Sequence, residues 1–367
     1  MTRAAFLLSC FCGTCSALGF ACTTRPSASK PIAAAAPTIA SNQPEPLQLD
    51  AGAPTLVATV IPIASSSEPR PAPMDARAPV AGAPVRPTPI ICPESPPVLE
   101  SGTPCGDLHC LAFDTLQAAF AHILETRPRV LGIGETHAQK GTEKIPSATR
   151  RFAEWLLPSL CGRTKAMILE VWLPRNDCGD KRVEQVARAQ KPATLPQAES
   201  NQNEYVTLGH VAKRLGIEPS ALVPTCDEYQ SILDAGPDSI ERMLTLIGKK
   251  TADRLIEELH RHPSDETGPV VIAYGGALHN DAEPTPDHLN FSYGPRLLAE
   301  TQGHYVELDL IVREYVKDTE LWQKQPYYKA LRKNPVAKKT LVYQWGPHSF
   351  GLVFAVTKAV QSQPSRP

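Results

Sequence analysis

Two stretches of the sequence end a run of apolar residues with the spacing Gly-x-x-His. In Val-Leu-Gly-Ile-Gly-Glu-Thr-His the pair is Gly134 and His137, with Glu135 between them. In Val-Ile-Ala-Tyr-Gly-Gly-Ala-Leu-His the pair is Gly276 and His279. With 22 Gly and 10 His in 367 residues, chance gives about 0.6 such pairs. The chain has three, and the two that follow strongly apolar runs are candidates for chemistry.

The residue types at these positions suit the activation of water. A carboxylate beside an imidazole orients the ring, and either group then takes a proton from water as a general base. Glu135 and His137 form such a pair in the sequence. His279 would polarise the carbonyl of a substrate, or hold a divalent cation together with Glu170. We therefore predict a hydrolytic site with Glu135, His137 and His279 as its catalytic residues.

The same side chains are ligands for a divalent metal ion. Imidazole and carboxylate groups suit Zn, Mn or Co without selecting among them. His137, Glu170 and His279 are therefore the predicted metal ligands. A metal-free reaction needs only a histidine base that a carboxylate orients within reach of water.

Three further residues at the same strand ends are predicted to line a bound ligand or cofactor. Gly134 and Gly276 let the backbone turn sharply and let a ligand approach closely. Tyr274 lies two residues before Gly276 and either packs in the core or faces the ligand. A wide apolar groove lined by an available tyrosine or histidine would favour haem, so haem binding is the main alternative to hydrolysis.

The elements that must position these residues alternate between helix and strand. Strands are predicted over 129–133, 165–172, 220–228, 269–274 and 304–312. The clearest helix is predicted over 239–260, and a last helix (317–332) precedes a hairpin. Strands that are apolar on both faces belong to parallel sheets covered by helices on each side. We therefore predict an α/β fold, a mostly parallel twisted sheet with helices on both faces.

The strand ends would bring the candidate residues together. Ligands bind such sheets in the crevice beyond the carboxyl ends of the strands. Glu135 and His137 follow the first predicted strand, Glu170 lies near the end of the second, and His279 follows the fourth. The third predicted strand ends in Asp-Glu (227–228), a pair that is more often found capping a helix. If these strands are neighbours, this order predicts that the candidate residues lie together at one edge of the sheet.

Three short motifs together resemble one known superfamily. They are Gly-Glu-Thr-His-Ala (134–138), Ile-Leu-Glu-Val-Trp (168–172) and Tyr-Gly-Gly-Ala-Leu-His-Asn-Asp (274–281). They resemble the superfamily that joins erythromycin esterases, ChaN-type haem-binding lipoproteins and the TraB/Tiki proteins, over about residues 110–315. This resemblance implies an α/β core with a site formed by Glu135, His137, Glu170 and His279.

Members of that superfamily differ in what the site does. Esterase-like members activate water, Tiki-like members are metal-dependent peptidases, and ChaN-like members bind haem. This chain lacks the Gly-Glu-Ala-Thr-His-Gly form of the esterases, and Ala138 stands where ChaN-like chains tend to have Asp. The resemblance implies an ester or peptide bond as the substrate. A haem- or small-ligand-binding lipoprotein and an inert cell-envelope scaffold are the alternatives.

The amino-terminal third has the composition of an export signal followed by a tether. Residues 1–22 combine Arg3 with a short uncharged apolar run that ends at Cys22, as in a secretory signal peptide. Leu-Gly-Phe-Ala-Cys (18–22) loosely resembles a lipobox, so Cys22 is a candidate for lipid attachment at a membrane. Residues 23–100 contain 17 of the 37 prolines and are predicted to form a disordered linker. The α/β domain is predicted over 101–367, and a net charge of -1 argues against nucleic acid as a partner.

The cysteines agree with export. Six of them follow Cys22, at positions 92, 105, 110, 161, 178 and 226. An even number of cysteines in an exported chain favours disulfides. Cys105 and Cys110, and Cys161 and Cys178, are the closest pairs in sequence, but spacing leaves the connectivity open. We therefore predict an exported, disulfide-bonded domain of the bacterial cell envelope.

Overall fold

The computed structural model describes residues 59–60, 92, 100–105, 109–175, 177–263, 269, 271–317, 319–325, 327–328, 331 and 338–357. The predicted signal peptide with Cys22, and all of the predicted linker except residues 59–60, 92 and 100, lie outside these ranges.

The described residues form ten strands and eight α-helices. The strands are β1 (Thr59–Val60), β2 (Thr103–Pro104), β3 (Cys110–Phe113), β4 (Val130–Glu135), β5 (Ala166–Trp172), β6 (Glu218–Leu222), β7 (Val271–Gly276), β8 (Tyr305–Ile311), β9 (Thr340–Gly346) and β10 (Ser349–Val353). The helices are α1 (Leu116–Leu124), α2 (Ala148–Arg151), α3 (Asp180–Thr194), α4 (Ser200–Arg214), α5 (Cys226–Asp234), α6 (Ser239–Arg261), α7 (Gly294–Glu300) and α8 (Glu320–Gln323).

The strands make one mixed, mostly parallel sheet. Its order is β1-β5-β7-β4-β8-β10-β9-β3-β2, and β6 also pairs with β5. The four central strands β5, β7, β4 and β8 run parallel to one another, and β10 joins β8 in the same direction. The antiparallel strands β9, β3 and β2 follow beyond β10. The predicted α/β fold with a mostly parallel sheet is confirmed.

Helices cover both faces of this sheet, because successive strand residues enter two separate cores. In β4, Leu131 and Ile133 belong to the core that also holds side chains of α1 and α4. Their neighbour Val130 belongs to the other core, which holds side chains of α3, α5, α6 and α7. We call these the first face and the second face of the sheet. Both faces of the central strands are buried, which explains their nearly continuous apolar sequences.

The prediction of a third strand over 220–228 is wrong in its second half. β6 ends at Leu222, and α5 begins at Cys226. Thr225 caps this helix, since its side chain accepts from the Glu228 amide and the Glu228 side chain accepts from the Thr225 amide. Glu228 and Asp227 therefore lie in the first turn of a helix rather than at the end of a strand. Among the described residues of the last predicted helix (317–332), Glu320–Gln323, Tyr328 and Leu331 are helical, whereas Lys324, Gln325 and Tyr327 are not.

Three disulfides join the predicted cysteines. They are Cys92–Cys161, Cys105–Cys110 and Cys178–Cys226. Cys105 thus pairs with its close neighbour, while the cysteines at 161 and 178 bond to other partners. Within the described ranges, no helix combines the length and the apolar character needed to cross a membrane.

Candidate functional site

The four central strands carry the candidate residues to the carboxyl edge of the sheet. Glu135 ends β4, and its register partners are Gly276 on β7 and Leu310 on β8. Glu170 lies in β5, one residue beyond Leu169, the last residue of β5 that pairs with β7. His137 and His279 follow β4 and β7 by two and three residues, at the same edge of the sheet. The order β5-β7-β4 makes these elements neighbours, which is the condition for the candidate residues to lie together at one edge.

Glu135 is the centre of a buried cluster on the first face. One carboxylate oxygen, Oε1, lies 2.9 Å from His137 Nδ1 and accepts from the Tyr205 hydroxyl at 3.2 Å. The other oxygen, Oε2, accepts from the Thr149 hydroxyl at 2.8 Å and from the Tyr274 hydroxyl at 3.2 Å. Four groups therefore hold this carboxylate in one position.

His137 is oriented by this carboxylate and has one free ring nitrogen. A carboxylate only accepts hydrogen bonds, so Nδ1 carries the proton in the bond to Glu135. Nε2 then bears a lone pair in the neutral ring, and it is buried without a hydrogen-bond partner among the described residues. Burial lowers the pKa of His137, but the hydrogen bond and charge of Glu135, with the charge of Glu170, outweigh it and raise the pKa above its usual value. The geometry is that of a histidine ready to accept a proton.

Glu170 and His279 make a second buried pair. Glu170 Oε2 accepts from the Gly276 amide at 2.6 Å, and His279 Nδ1 lies 2.8 Å from the carbonyl oxygen of Phe291. The remaining atoms, Glu170 Oε1 and His279 Nε2, face each other at 3.7 Å. Both are buried, and neither has a hydrogen-bond partner in the part of the chain that the structure describes. Since Nδ1 must donate to the carbonyl, both facing atoms are acceptors in the neutral ring, and only a proton or a cation satisfies them together.

The two pairs lie on different faces of the sheet and meet at its edge. Ile133, Tyr274 and Leu169 are register partners in the first-face core, so their successors in β4, β7 and β5 point the other way. Glu170 therefore faces the second side, while Glu135 faces the first. The charge of Glu170 adds to the rise in the pKa of His137, after the larger effects of Glu135.

The predicted metal ligands do not form a closed set of three in this conformation. Among the described residues, the ligand atoms that gather within 4.8 Å of one another belong to Asp177, Cys178 and Cys226. Both cysteines of that set are joined in a disulfide, so the set offers no thiolate. His137, Glu170 and His279 present one close pair and a third, more distant nitrogen.

Two glycines make room for the second-face groups. A side chain on Gly275 would overlap the Glu170 carboxylate, and one on Gly134 would lie 2.5 Å from Asn280 Oδ1 and 2.7 Å from Asp309 Oδ1. The loop after β7 uses this space, because Asn280 Nδ2 donates to Asp309 Oδ1 at 3.0 Å. Gly134 therefore serves the packing of the loop that carries His279.

Two carboxyl groups of β8 hold the same loop. Glu307 accepts from the Ala282 amide at 2.8 Å and from the Ser349 hydroxyl at 2.7 Å. Burial raises the pKa of Glu307 to about 7, and the charge of Asp281 adds to the rise. Burial, with the charge of Glu307, also raises the pKa of Asp309 well above its usual range. The alternation of Glu307 and Asp309 within an apolar strand is the sequence signal for this buried pair.

The remaining predicted residues have structural partners. Tyr274 donates to Glu135, and its ring stacks on Phe152 with 5.1 Å between the ring centroids. Gly276 donates its amide to Glu170. Sequence reasoning missed Thr149 and Tyr205, which reach Glu135 from α2 and α4.

The second pair fits a divalent cation. A neutral histidine that donates its other ring nitrogen to a backbone carbonyl is a common arrangement around metal ligands. His279 has this arrangement, and Glu170 has one oxygen fixed by a backbone amide and one oxygen bare. The residues fit haem less well, because the Tyr274 hydroxyl is buried and engaged with Glu135.

Comparisons with protein-family models, with curated proteins and with solved structures found no match to this chain.

Proposed function

We propose that this protein is a hydrolase that activates water for attack on an ester or peptide bond. The observation that carries the proposal is His137, whose Nδ1 is held by Glu135 while its buried Nε2 has no partner. A relationship to the erythromycin esterase, ChaN and Tiki superfamily is part of the same proposal. It is supported by the positions of Glu135, Glu170 and His279 at the ends of neighbouring strands.

In this mechanism His137 Nε2 takes a proton from water. The imidazolium that forms is stabilised by Glu135, which the hydroxyls of Thr149, Tyr205 and Tyr274 keep in place. The hydroxide attacks the carbonyl carbon of the substrate, and the proton on His137 then passes to the leaving group. The raised pKa of His137 favours the first proton transfer.

The second pair serves the carbonyl oxygen of the substrate. Glu170 and His279 would hold a divalent cation, while His137 keeps its Nε2 for the proton from water. A bound cation would act as a Lewis acid that polarises the carbonyl. The two atoms available to it, Glu170 Oε1 and His279 Nε2, are 3.7 Å apart.

Export to the cell envelope and a lipid on Cys22 complete the proposal. Three disulfides agree with an oxidising compartment. Cys22→Ser should abolish retention in the membrane fraction if a lipid anchors the chain. Unchanged fractionation of this variant would refute the lipid anchor and leave the catalytic proposal intact.

The catalytic proposal is tested on the full chain with p-nitrophenyl acetate and a mixed fluorogenic peptide set, with and without added Zn, Mn or Co. His137→Ala and His279→Ala should each abolish turnover, whereas His210→Ala, at an exposed position on α4, should not. Metal analysis and absorbance are recorded on the same samples. Stoichiometric metal that His279→Ala loses supports the cation form. A Soret band would refute hydrolysis in favour of haem binding, and no turnover with any substrate would favour an inert scaffold.

A further inference from the structure

One segment of the proline-rich region lies in the sheet. Thr59 and Val60 form β1 and pair in parallel with Val171 and Trp172 at the carboxyl end of β5. We propose that the gap between β5 and β7 at this edge is a binding site for an extended polypeptide main chain. We further propose that Thr59–Val60 of the same chain occupies this site.

The pairing pattern of β5 shows which edge β1 uses. β7 pairs with β5 as far as Leu169. On the other edge, the pairing with β6 is irregular between Leu169 and Trp172 and resumes at the end of β5, where Leu222 is the partner of Trp172 and its carbonyl accepts from the Leu173 amide at 2.9 Å. Trp172 also pairs with Val60, and the two partners of one strand residue lie on opposite edges. β1 therefore pairs with the same edge of β5 as β7 does, beyond Leu169, where the pairing with β7 ends.

This position is next to the candidate site. Glu170 is the residue of β5 between Leu169, where the pairing with β7 ends, and Val171, where the pairing with β1 begins. Its side chain reaches the end of β7 through the Gly276 amide and faces His279 at 3.7 Å. A main chain paired with Val171 thus runs beside the Glu170–His279 pair.

The sequence around β1 differs from the rest of the tether. Residues 55–61, Thr-Leu-Val-Ala-Thr-Val-Ile, lie between Pro54 and Pro62 and contain no proline. Five of the seven are β-branched, the residue class that favours strands. Proline lacks the amide hydrogen that a ladder needs, so the flanking prolines limit the length of strand that this segment offers.

A disulfide anchors the tether that carries β1 near the start of β5. Cys92 is bonded to Cys161, which precedes the start of β5 by five residues. The 31 residues between Val60 and Cys92 span up to about 100 Å when extended, several times the length of β5. Binding of β1 is therefore intramolecular, with the high effective concentration of a tethered ligand. A free polypeptide has to displace the segment to use the same edge.

The binding site is independent of catalysis. That β1 limits access to Glu170 and His279 rests on the proposed function, but the pairing with Val171 and Trp172 does not. The site selects main chain in the extended conformation, because the ladder of a parallel pair is made by backbone groups.

Hydrogen exchange on the full chain tests the intramolecular part. The double variant Thr59→Pro/Val60→Pro removes both amide hydrogens of β1, and Val80→Pro/Ala81→Pro makes a matched change elsewhere in the tether. The first variant should speed amide exchange at Trp172 about tenfold, with exchange in β4 unchanged. Trp172 is the reporter because Leu173 donates to β6, and the amides of successive residues in a strand point to opposite edges. The second variant should exchange like the wild type. Equal rates at Trp172 in all three proteins would overturn the proposal.

A peptide tests the binding site itself. A fluorescein-labelled peptide of residues 55–61 should bind saturably to the Thr59→Pro/Val60→Pro chain, and about tenfold more weakly to the wild type, where β1 competes. The same peptide with prolines at positions 59 and 60 should not bind. Absence of saturable binding to the double variant would overturn the proposal. A chain that binds the peptide and hydrolyses no test substrate would keep this inference and refute the proposed function.

Discussion

The two histidines at the carboxyl edge of the sheet are held by different acceptors. His137 Nδ1 is 2.9 Å from the Glu135 carboxylate, whereas His279 Nδ1 is 2.8 Å from the backbone carbonyl of Phe291. Both rings are buried, and both leave Nε2 without a hydrogen-bond partner. The two hydrogen bonds are alike in length, but the acceptor of His137 is a carboxylate and the acceptor of His279 is an uncharged carbonyl.

Because of this difference, the two histidine rings are suited to different chemical roles. A carboxylate stabilises an imidazolium, so the Glu135–His137 pair is suited to moving a proton. A carbonyl fixes the tautomer without supplying a charge, so His279 presents a lone pair to whatever lies between it and Glu170.

Removal of the charge behind His137 should have the largest effect. Glu135→Gln keeps the shape of the side chain but no longer stabilises the imidazolium. We expect hydrolysis of p-nitrophenyl acetate to fall about 10³-fold, as for other histidine bases that lose their carboxylate. The exposed pair His122 and Glu125, with Nδ1 3.0 Å from the carboxylate, supplies the control. Glu125→Gln should retain the wild-type rate, and equal losses in the two variants would contradict the assignment of Glu135.

Filling the space beside Glu170 should have the next largest effect, a loss of stability. The added methyl group of Gly275→Ala would overlap the Glu170 carboxylate, so we expect unfolding free energy to fall by about 2–4 kcal/mol. Gly209→Ala is the matched control, because Gly209 lies inside α4 and its added methyl group would lie 3.2 Å from the end of the Leu169 side chain, which can move more easily than a held carboxylate. Urea denaturation measures both variants. A Gly275→Ala protein as stable as Gly209→Ala would show that Glu170 is not held as described.

The stability that Glu307 contributes by holding the loop that carries His279 should depend on pH. Its pKa is raised from 4.5 to about 7 in the folded protein, so the folded state holds a proton that the unfolded state loses. The stability from this proton is complete below pH 4.5 and is lost as pH rises to about 7, at a cost of up to about 3 kcal/mol. Glu307→Gln lacks this loss. The stability of the wild type relative to Glu307→Gln should therefore fall between pH 4.5 and 7, and a constant difference would contradict the buried proton.

Replacement of the bare oxygen of Glu170 should have the smallest effect on stability, in the opposite direction. In Glu170→Gln the amide nitrogen can donate to His279 Nε2, while the amide oxygen still accepts from Gly276. We expect a gain of about 1 kcal/mol in unfolding free energy without metal, together with loss of Zn binding in a dialysis assay. A variant that is destabilised and still binds Zn would contradict the role of Glu170.

The central strands were predictable because their chemistry is local. β4, β5 and β7 are almost entirely apolar, so their approximate bounds and their parallel direction follow from the sequence, whereas their order in the sheet does not. Glu135, Glu170 and the two histidines could be named because they interrupt or follow such runs. The start of α5 was also readable, since Thr225-Cys-Asp-Glu228 has the spacing of a capping box, yet the apolar Leu-Val before it favoured a strand.

The partners of Glu135 were not predictable, because packing brings them together. Thr149 and Tyr205 are 14 and 70 residues away in sequence and come from helices on the first face. The side on which each carboxylate points depends on strand register, which sequence periodicity left open for a run that is apolar throughout. Only the register shows that Glu135 and Glu170 face opposite sides.

The central claim is that Glu135 makes His137 the base of the site. The most direct measurement is the pH titration of the histidine ring nitrogens by ¹⁵N NMR in the wild type, Glu135→Gln and His137→Ala. We expect a resonance that titrates above pH 6.5 in the wild type, is absent in His137→Ala and shifts down by about one pKa unit or more in Glu135→Gln. A His137 resonance whose pKa is the same with glutamate and glutamine at position 135 would contradict the claim.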